Sequence, residues 1–379
     1  MSNITKNDLV TRFENWASYA DSASEIISHL SISPRATQHS KIRQYILFHE
    51  GDLTKLLFKK SVEGISNIRL ELINERASSF RLSLYSKSRE NQISGVLTVI
   101  DSDTPNFFRL ITVSYSDFWE KIVKKLVRNL YPEAMPVFFK QDETRNALLS
   151  LQNFLGSSYQ IVISEVTMKR KIIDESRPTT GKVETDRLWT KLFVSEAFEQ
   201  ALEGNYWFTS IQFDIRRMLR STERFVKIAT GRIYKQGFIN YDLRHNEIEN
   251  SIIKTLEAFA AERLNFLSGR GLRERNFIPN VPLQITYGRD FFDEVSEVRR
   301  FGEVIAKFPK STRAVYHANP YYHASVADFL DGSSFEIWIL SSRRILIVPQ
   351  AKCTPQALER LIAHVFSEFG EGELGDYAS

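Results

Sequence analysis

Five short apolar stretches, Gln44–Phe48, Ile68–Ile73, Phe80–Tyr85, Val96–Ile100 and Phe107–Val113, follow one another closely, with polar turns such as SKSRENQ and DSDTPN between the later ones. Segments this short bury an apolar face only by pairing with neighbours, and connectors this short cannot hold a crossover helix. An antiparallel meander is the arrangement left.

The pattern returns further along. Strands are predicted at Tyr159–Met168, Trp207–Ile215 and Phe225–Tyr234, and a hairpin at Phe335–Leu340 and Ile345–Val348. Helical spacing predicts helices at Asp117–Leu130 behind Ser116, at Asp142–Phe154, at Asp186–Leu202 and at Asn246–Leu267. A last helix is capped by Thr354, with Pro355 in its first position and Gly370 at its end. ITVSYSDFWEKIVKKLVRNLYPE and IVPQAKCTPQALERLIAHVFSEFGEGE share a strand, a capped start and an amphipathic helix, and Tyr234–Leu264 is a looser third copy. The expected class is therefore α+β, with two or three subdomains of antiparallel strands each covered by a helix, behind an N-terminal docking helix. At 379 residues, the expected divisions are an amphipathic helix and linker (1–34), a sheet-and-helix domain (35–172), a strand pair with a long helix (186–278) and a hairpin–helix domain (279–379).

The first helix is expected over Asn7–Leu30, behind a capping box at Thr5 and Asp8. Leu9, Phe13, Trp16, Ala20, Ala23, Ile27 and Leu30 form a heptad seam, which predicts contact with a protein partner or a second copy through Leu9, Phe13, Trp16, Ile27 and Leu30. Docking on its own domain is the alternative.

Charge is gathered in mid-chain. Arg216, Arg217, Arg220, Arg224, Lys227, Arg232, Lys235 and Arg244 face only Glu223 and Asp242 in their window, although the whole chain carries just +4. Arg270, Arg273 and Arg275 add to the cluster. Arginine suits bidentate phosphate contact, and Phe225, Tyr234 and Tyr241 are candidates to stack on unpaired bases. Internal pairing with Glu247, Glu249, Glu257 and Glu262 is the competing use of these charges. A second basic stripe, Lys121, Lys124, Lys125 and Arg128, reads as the solvated face of its helix.

Glu50-Gly51-Asp52 ends one apolar stretch and Asp101-Ser102-Asp103 ends another. This spacing resembles the toprim domains of topoisomerases and some nucleases, and the resemblance spans about sixty residues. It implies a Mg²⁺ site made of Glu50, Asp101 and Asp103. Against it, the acids sit in a meander, and a strand follows Asp103 in place of a helix. His317 and His323, in HANPYYHASVAD, suit acid–base work, but no pair has the close spacing of a zinc motif. Phosphate loops, nucleophile elbows, HExxH and three-glycine dinucleotide fingerprints are absent.

The lone Cys353 fits a reducing compartment, no apolar run approaches a bilayer span, and the start lacks a secretory layout. These features predict a cytoplasmic protein without a membrane role. The expected function is a non-catalytic nucleic-acid-binding subunit of a multi-protein assembly, on DNA or RNA, with no cofactor. Two alternatives stand beside it: a Mg²⁺-dependent nuclease, and a protein-binding scaffold without nucleic acid.

Overall fold

The N-terminal heptad stretch forms two helices where one was expected. In a computed structural model, α1 (Leu9–Tyr19) stops before Ala20 and α2 (Ala23–Ile32) starts after Ser22. The break has a local cause: Ser22 Oγ accepts from the Glu25 amide at 3.3 Å, and the Glu25 carboxylate accepts from the Asp21 amide at 2.8 Å. That reciprocal cap opens a new helix. Trp16 stacks on His29 with ring centroids 5.0 Å apart. The structure describes residues 9–32, 41–65, 67–84, 93–172, 182–203, 206–219, 221–242, 244–270, 281–318 and 321–377. The capping box expected at Thr5 and Asp8 lies outside them.

β1 (Lys41–His49) leads through α3 (Leu53–Glu63) into β2 (Ile68–Asn74), β3 (Ser79–Leu84), β4 (Ser94–Asp101) and β5 (Phe107–Ser114). Four of the five expected strands, β2 to β5, form the meander; α3, a helix not expected from the sequence, separates β1 from β2, and β1 pairs with β5 and with the strand Phe238–Tyr241 instead. The helix after β5 has three parts: α4 (Ser116–Phe118), a π-helical turn (Trp119–Val123) and α5 (Lys124–Leu130). Its N-cap is Tyr115, without a side-chain hydrogen bond, so Ser116 is not the cap expected of it. Then follow β6 (Ala134–Pro136), α6 (Gln141–Leu155), β7 (Tyr159–Ile172) and β8 (Lys182–Phe193). The helix expected from Asp186 begins only with α7 (Val194–Glu203). Before it, Leu188, Trp189 and Thr190 favour extended backbone, and tertiary pairing takes that segment into the sheet.

β9 (Tyr206–Leu219), β10 (Arg224–Tyr234) and β11 (Phe238–Tyr241) precede a second helix with a π-helical turn: α8 (His245–Ile248), Glu249–Ile253 and α9 (Lys254–Leu267). The chain ends with β12 (Leu283–Thr286), α10 (Val295–Ala306), β13 (Ser311–His317), β14 (His323–Asp328), β15 (Ser334–Ser341), β16 (Arg344–Pro349), α11 (Pro355–Glu368) and β17 (Glu373–Asp376). Thr354 caps α11 as expected, its hydroxyl accepting from the Ala357 amide at 3.1 Å.

The eleven-stranded sheet runs β2-β3-β4-β5-β1-β11-β10-β9-β7-β8, with β6 on β1, and the six-stranded sheet runs β13-β14-β15-β16-β12-β17. One topology thus occurs twice: a strand, a helix, a four-strand meander and a covering helix, with the first strand inserted beside the last. β1 through α5 gives β2-β3-β4-β5-β1, and β12 through α11 gives β13-β14-β15-β16-β12. The two similar sequence stretches, ITVSYSD… and IVPQAKC…, hold the same place in each copy.

The chain divides into two units: residues 1–166, 188–200 and 210–259, and residues 167–187, 201–209 and 260–379. In the first, Tyr45, Leu47, Phe80, Leu97, Leu110, Trp119, Ile122 and Leu126 form a core between the sheet and the α4–α5 helix. The second is centred on a ring cluster in which Phe292, Phe301 and Phe369 pack against one another. Among the described residues no helix is long and apolar enough to cross a membrane.

Candidate nucleic-acid interface

The mid-chain cluster falls on the β9–β10 hairpin, and the strand period sorts it by face. In register, Arg216 lies opposite Lys227, Asp214 opposite Thr230, Gln212 opposite Arg232 and Ser210 opposite Tyr234, all on one face. Arg217 opposite Val226 and Leu219 opposite Arg224 lie on the other. The first face continues inward as a polar row, from Gln212 and Arg232 to Asn240 on β11, Arg43 on β1 and Thr112 on β5. Two glycines fix this arrangement. Gly231 passes so close to the Phe213 ring that a Cβ would collide with it, and Gly237 turns β10 into β11 at φ 79°, against the Val137 carbonyl.

Much of the cluster is already neutralised inside the molecule. The Lys227 ammonium lies 2.9 Å from Asp214. Arg232 reaches Glu165 at 2.6 Å and Gln212 at 2.9 Å. Arg244 pairs with Glu247 at 2.6 Å. Lys235 is buried, with its ammonium over the Phe138 ring at 5.4 Å. Of the helix acids expected to compete for these cations, Glu247 does so, while Glu249 and Glu257 take Arg109 instead. Strand carboxylates, Asp214 and Glu165, hold Lys227 and Arg232. A single exposed surface bearing all these cations is therefore not what the fold builds.

Arg270 is buried in the second unit, donating to the carbonyls of Phe266, Val281 and Pro282 and to Asp376 at 2.6 Å. Its guanidinium is thus engaged inside the protein, unlike the exposed phosphate ligand the sequence predicts. Arg220, Arg273 and Arg275 lie outside the described residues.

Arg216, Arg217 and Arg224 make no ion pair among the described residues. Arg217 and Arg224 are exposed, Arg216 is half-buried, and Arg217 sits over the Tyr159 ring at 6.0 Å. Beside them Met218, Leu219 and Val226 are exposed at 38, 40 and 36%. Phe225 is half-buried on the same strand pair. Among the described residues of the cluster, this outer part of the hairpin leaves basic and apolar groups accessible together, Arg216 on one face and Arg217 and Arg224 on the other.

Neither a family model nor a curated protein matches the chain.

The other expected sites fare differently. Tyr241 is fully buried, with its hydroxyl 2.6 Å from His245 Nδ1 and accepting from Gln44 at 3.3 Å, so no base can stack on it. One face of Tyr234 is taken by Phe238, with centroids 3.8 Å apart. Leu9, Phe13 and Leu30 are buried within their own unit, and Trp16 and Ile27 are half-buried. The seam expected to meet a partner is spent on the α1–α2 pair and on β2, β4 and β5.

Glu50 and Asp101 end strands that β5 separates, and Asp103 lies 3.3 Å from Lys254. Among the described residues no group of three or more His, Cys, Asp or Glu could hold a metal ion. Glu50, Asp101 and Asp103 therefore do not form such a group. His317 and His323 are cross-strand neighbours on β13 and β14, and His323 lies 3.4 Å from Glu336. On the α4–α5 helix, Lys121 and Lys124 pair with Asp117 and Glu120 at 3.0 and 2.7 Å; Lys121 is exposed as expected, whereas Lys124 and Lys125 are half-buried.

A buried polar network escaped the sequence reading. Gln44 bonds Tyr241, Tyr241 bonds His245, Arg109 pairs with Glu249 and lies 3.7 Å from Glu257, and Ser102 donates to Glu257 at 2.6 Å. Burial pushes His245 down to about 3, helped by the Arg109 charge, and burial raises Glu257 above the usual carboxylate range. Its one sequence signal is a polar residue inside an apolar strand: Arg109 in FFRLITV and Gln44 before YILF.

Proposed function

We propose that the protein is a non-catalytic nucleic-acid-binding subunit, of a cytoplasmic assembly, that holds the phosphate backbone through the outer part of the β9–β10 hairpin. Arg216, Arg217 and Arg224 supply the charge, Phe225 a stacking ring, and Met218, Leu219 and Val226 an apolar border. The observation that carries this reading is that, among the described residues, these three arginines have no carboxylate partner while their sequence neighbours Lys227 and Arg232 have one. An unpaired guanidinium gives up no internal bond when it meets a phosphate.

The number of free cations sets a measurable quantity. Three phosphates neutralised on a single strand give a slope of about 2 in log affinity against log salt, so going from ~50 to ~200 mM weakens binding about 20-fold. Six phosphates would weaken it several hundredfold, again on the order of 0.7 per phosphate. Fluorescence anisotropy with labelled oligo(dT), oligo(rU) and duplex DNA reads the slope directly. A slope near 2 supports the reading. Absence of binding at the lowest salt overturns it and leaves the scaffold alternative.

A further inference from the structure

The six-stranded sheet ends in an exposed strand that α10 touches through Arg313. β13 pairs with β14 on one side only, and every residue from Thr312 to His317 is exposed. Among the described residues no backbone hydrogen bond reaches its outer edge. Such an edge is a template for one more strand, because its amide and carbonyl groups keep their pairing capacity.

Charge and side chains decide what that strand would be. Between Glu303 and Asp328 the chain carries Lys307, Lys310 and Arg313, and no Asp or Glu. Asp328 is buried and held by Arg360. Arg313 donates to the Gly302 carbonyl and so keeps its charge beside the strand. Val315 and Tyr316 are 43 and 57% exposed on the same strand. The Tyr316 ring lies 4.6 Å from His323, and His323 stacks on Trp338 at 3.4 Å, an aromatic row that ends at the open edge. The irregularity between Val315 and His317 confines regular pairing to Ser311–Val315.

We propose that β13 is a docking edge for an extended acidic peptide, whose Asp or Glu side chains meet Lys310 and Arg313 and whose apolar side chains meet Val315 and Tyr316. A row of main-chain donors and acceptors matches another main chain. One cation on the strand, Arg313, with Lys310 just before it and Lys307 at the end of α10, matches a phosphate backbone poorly. This proposal is independent of the β9–β10 reading, since it concerns other residues and another ligand class.

The test uses the full chain and a fluorescein-labelled seven-residue peptide of alternating Glu and Val, with binding read by anisotropy. Its Lys–Val counterpart is expected not to bind. N-methylation of the peptide amides along one edge is expected to weaken binding about tenfold or more, as the loss of one or two good hydrogen bonds implies. The Lys310→Glu/Arg313→Glu protein, shown to be folded by its circular dichroism and melting curve, is expected to prefer the Lys–Val peptide. Several results overturn the proposal: no binding of the Glu–Val peptide, indifference to N-methylation, an unchanged preference in the double variant, or tighter binding of oligo(dT) that this variant abolishes. A concentration-dependent dimer lost on Val315→Pro also overturns it, in favour of a second copy at this edge.

Discussion

Replacing Arg109 by Ala removes the buried cation that pairs with Glu249 and lies 3.7 Å from Glu257. Arg109 is 8% exposed, and the two carboxylates are 9 and 3% exposed. The substitution leaves two carboxylates in a poorly solvated site and opens a gap where the guanidinium packed. Breaking a buried pair from one side costs about 3–5 kcal/mol, most of it the penalty of the charge left behind. For a unit of this size that corresponds to a melting point lower by roughly 6–20 °C. Urea unfolding followed by tryptophan fluorescence, with Trp119 as a reporter in the first unit's core, gives the change. The Arg109→Met/Glu249→Leu/Glu257→Leu protein removes all three charges and is expected to recover most of the loss, because an apolar replacement of a buried triad is close to neutral. A loss under about 1 kcal/mol for Arg109→Ala, the range of a solvated surface pair, would refute the reasoning.

Other predictions follow from single residues. His245 is held neutral by burial, with its folded value pushed down to about 3 from 6.5. Between those values only the unfolded chain takes up the proton, so stability present above pH 6.5 falls with pH, by about 2 kcal/mol at pH 5. The difference between wild type and His245→Gln, measured by urea unfolding at pH 7.5 and 5, should change by that amount, whereas a constant difference would count against a buried neutral imidazole. Gly237→Ala places a Cβ against the Val137 carbonyl at φ 79°, and should cost about 1–3 kcal/mol in the same unfolding assay. Burial, with Asp331 nearby, pushes the Cys353 thiol up to about 12, so it should react with a disulfide reagent at pH 8 far more slowly than free cysteine does.

The α+β class and the meander were legible because short apolar segments between tight polar turns allow little else. β1, β5, the β15–β16 hairpin and the Thr354-capped α11 all contain the stretches that announced them. The break between α1 and α2 was legible too, since Ser22 and Glu25 have capping-box spacing, but the heptad seam running across it masked the signal. The fate of the arginines was not legible. Which cation finds a carboxylate depends on β9 lying between β10 and β7, so Glu165 on β7 meets Arg232 across a long stretch of chain, while Arg217 and Arg224 turn to the opposite face. A charge window counts residues along the chain, and strand period and pairing then decide which of them remain available.

The most direct test of the β9–β10 reading compares two proteins that lose the same charge in different places. One carries Arg216→Ala, Arg217→Ala and Arg224→Ala, and the other Lys121→Ala, Lys124→Ala and Lys125→Ala on the α4–α5 helix. Salt-dependent binding to oligo(dT) should lose most of its slope of about 2 in the hairpin variant and keep it in the helix variant. Equal losses in both would mean that only net charge matters, and an unaltered hairpin variant would contradict the account.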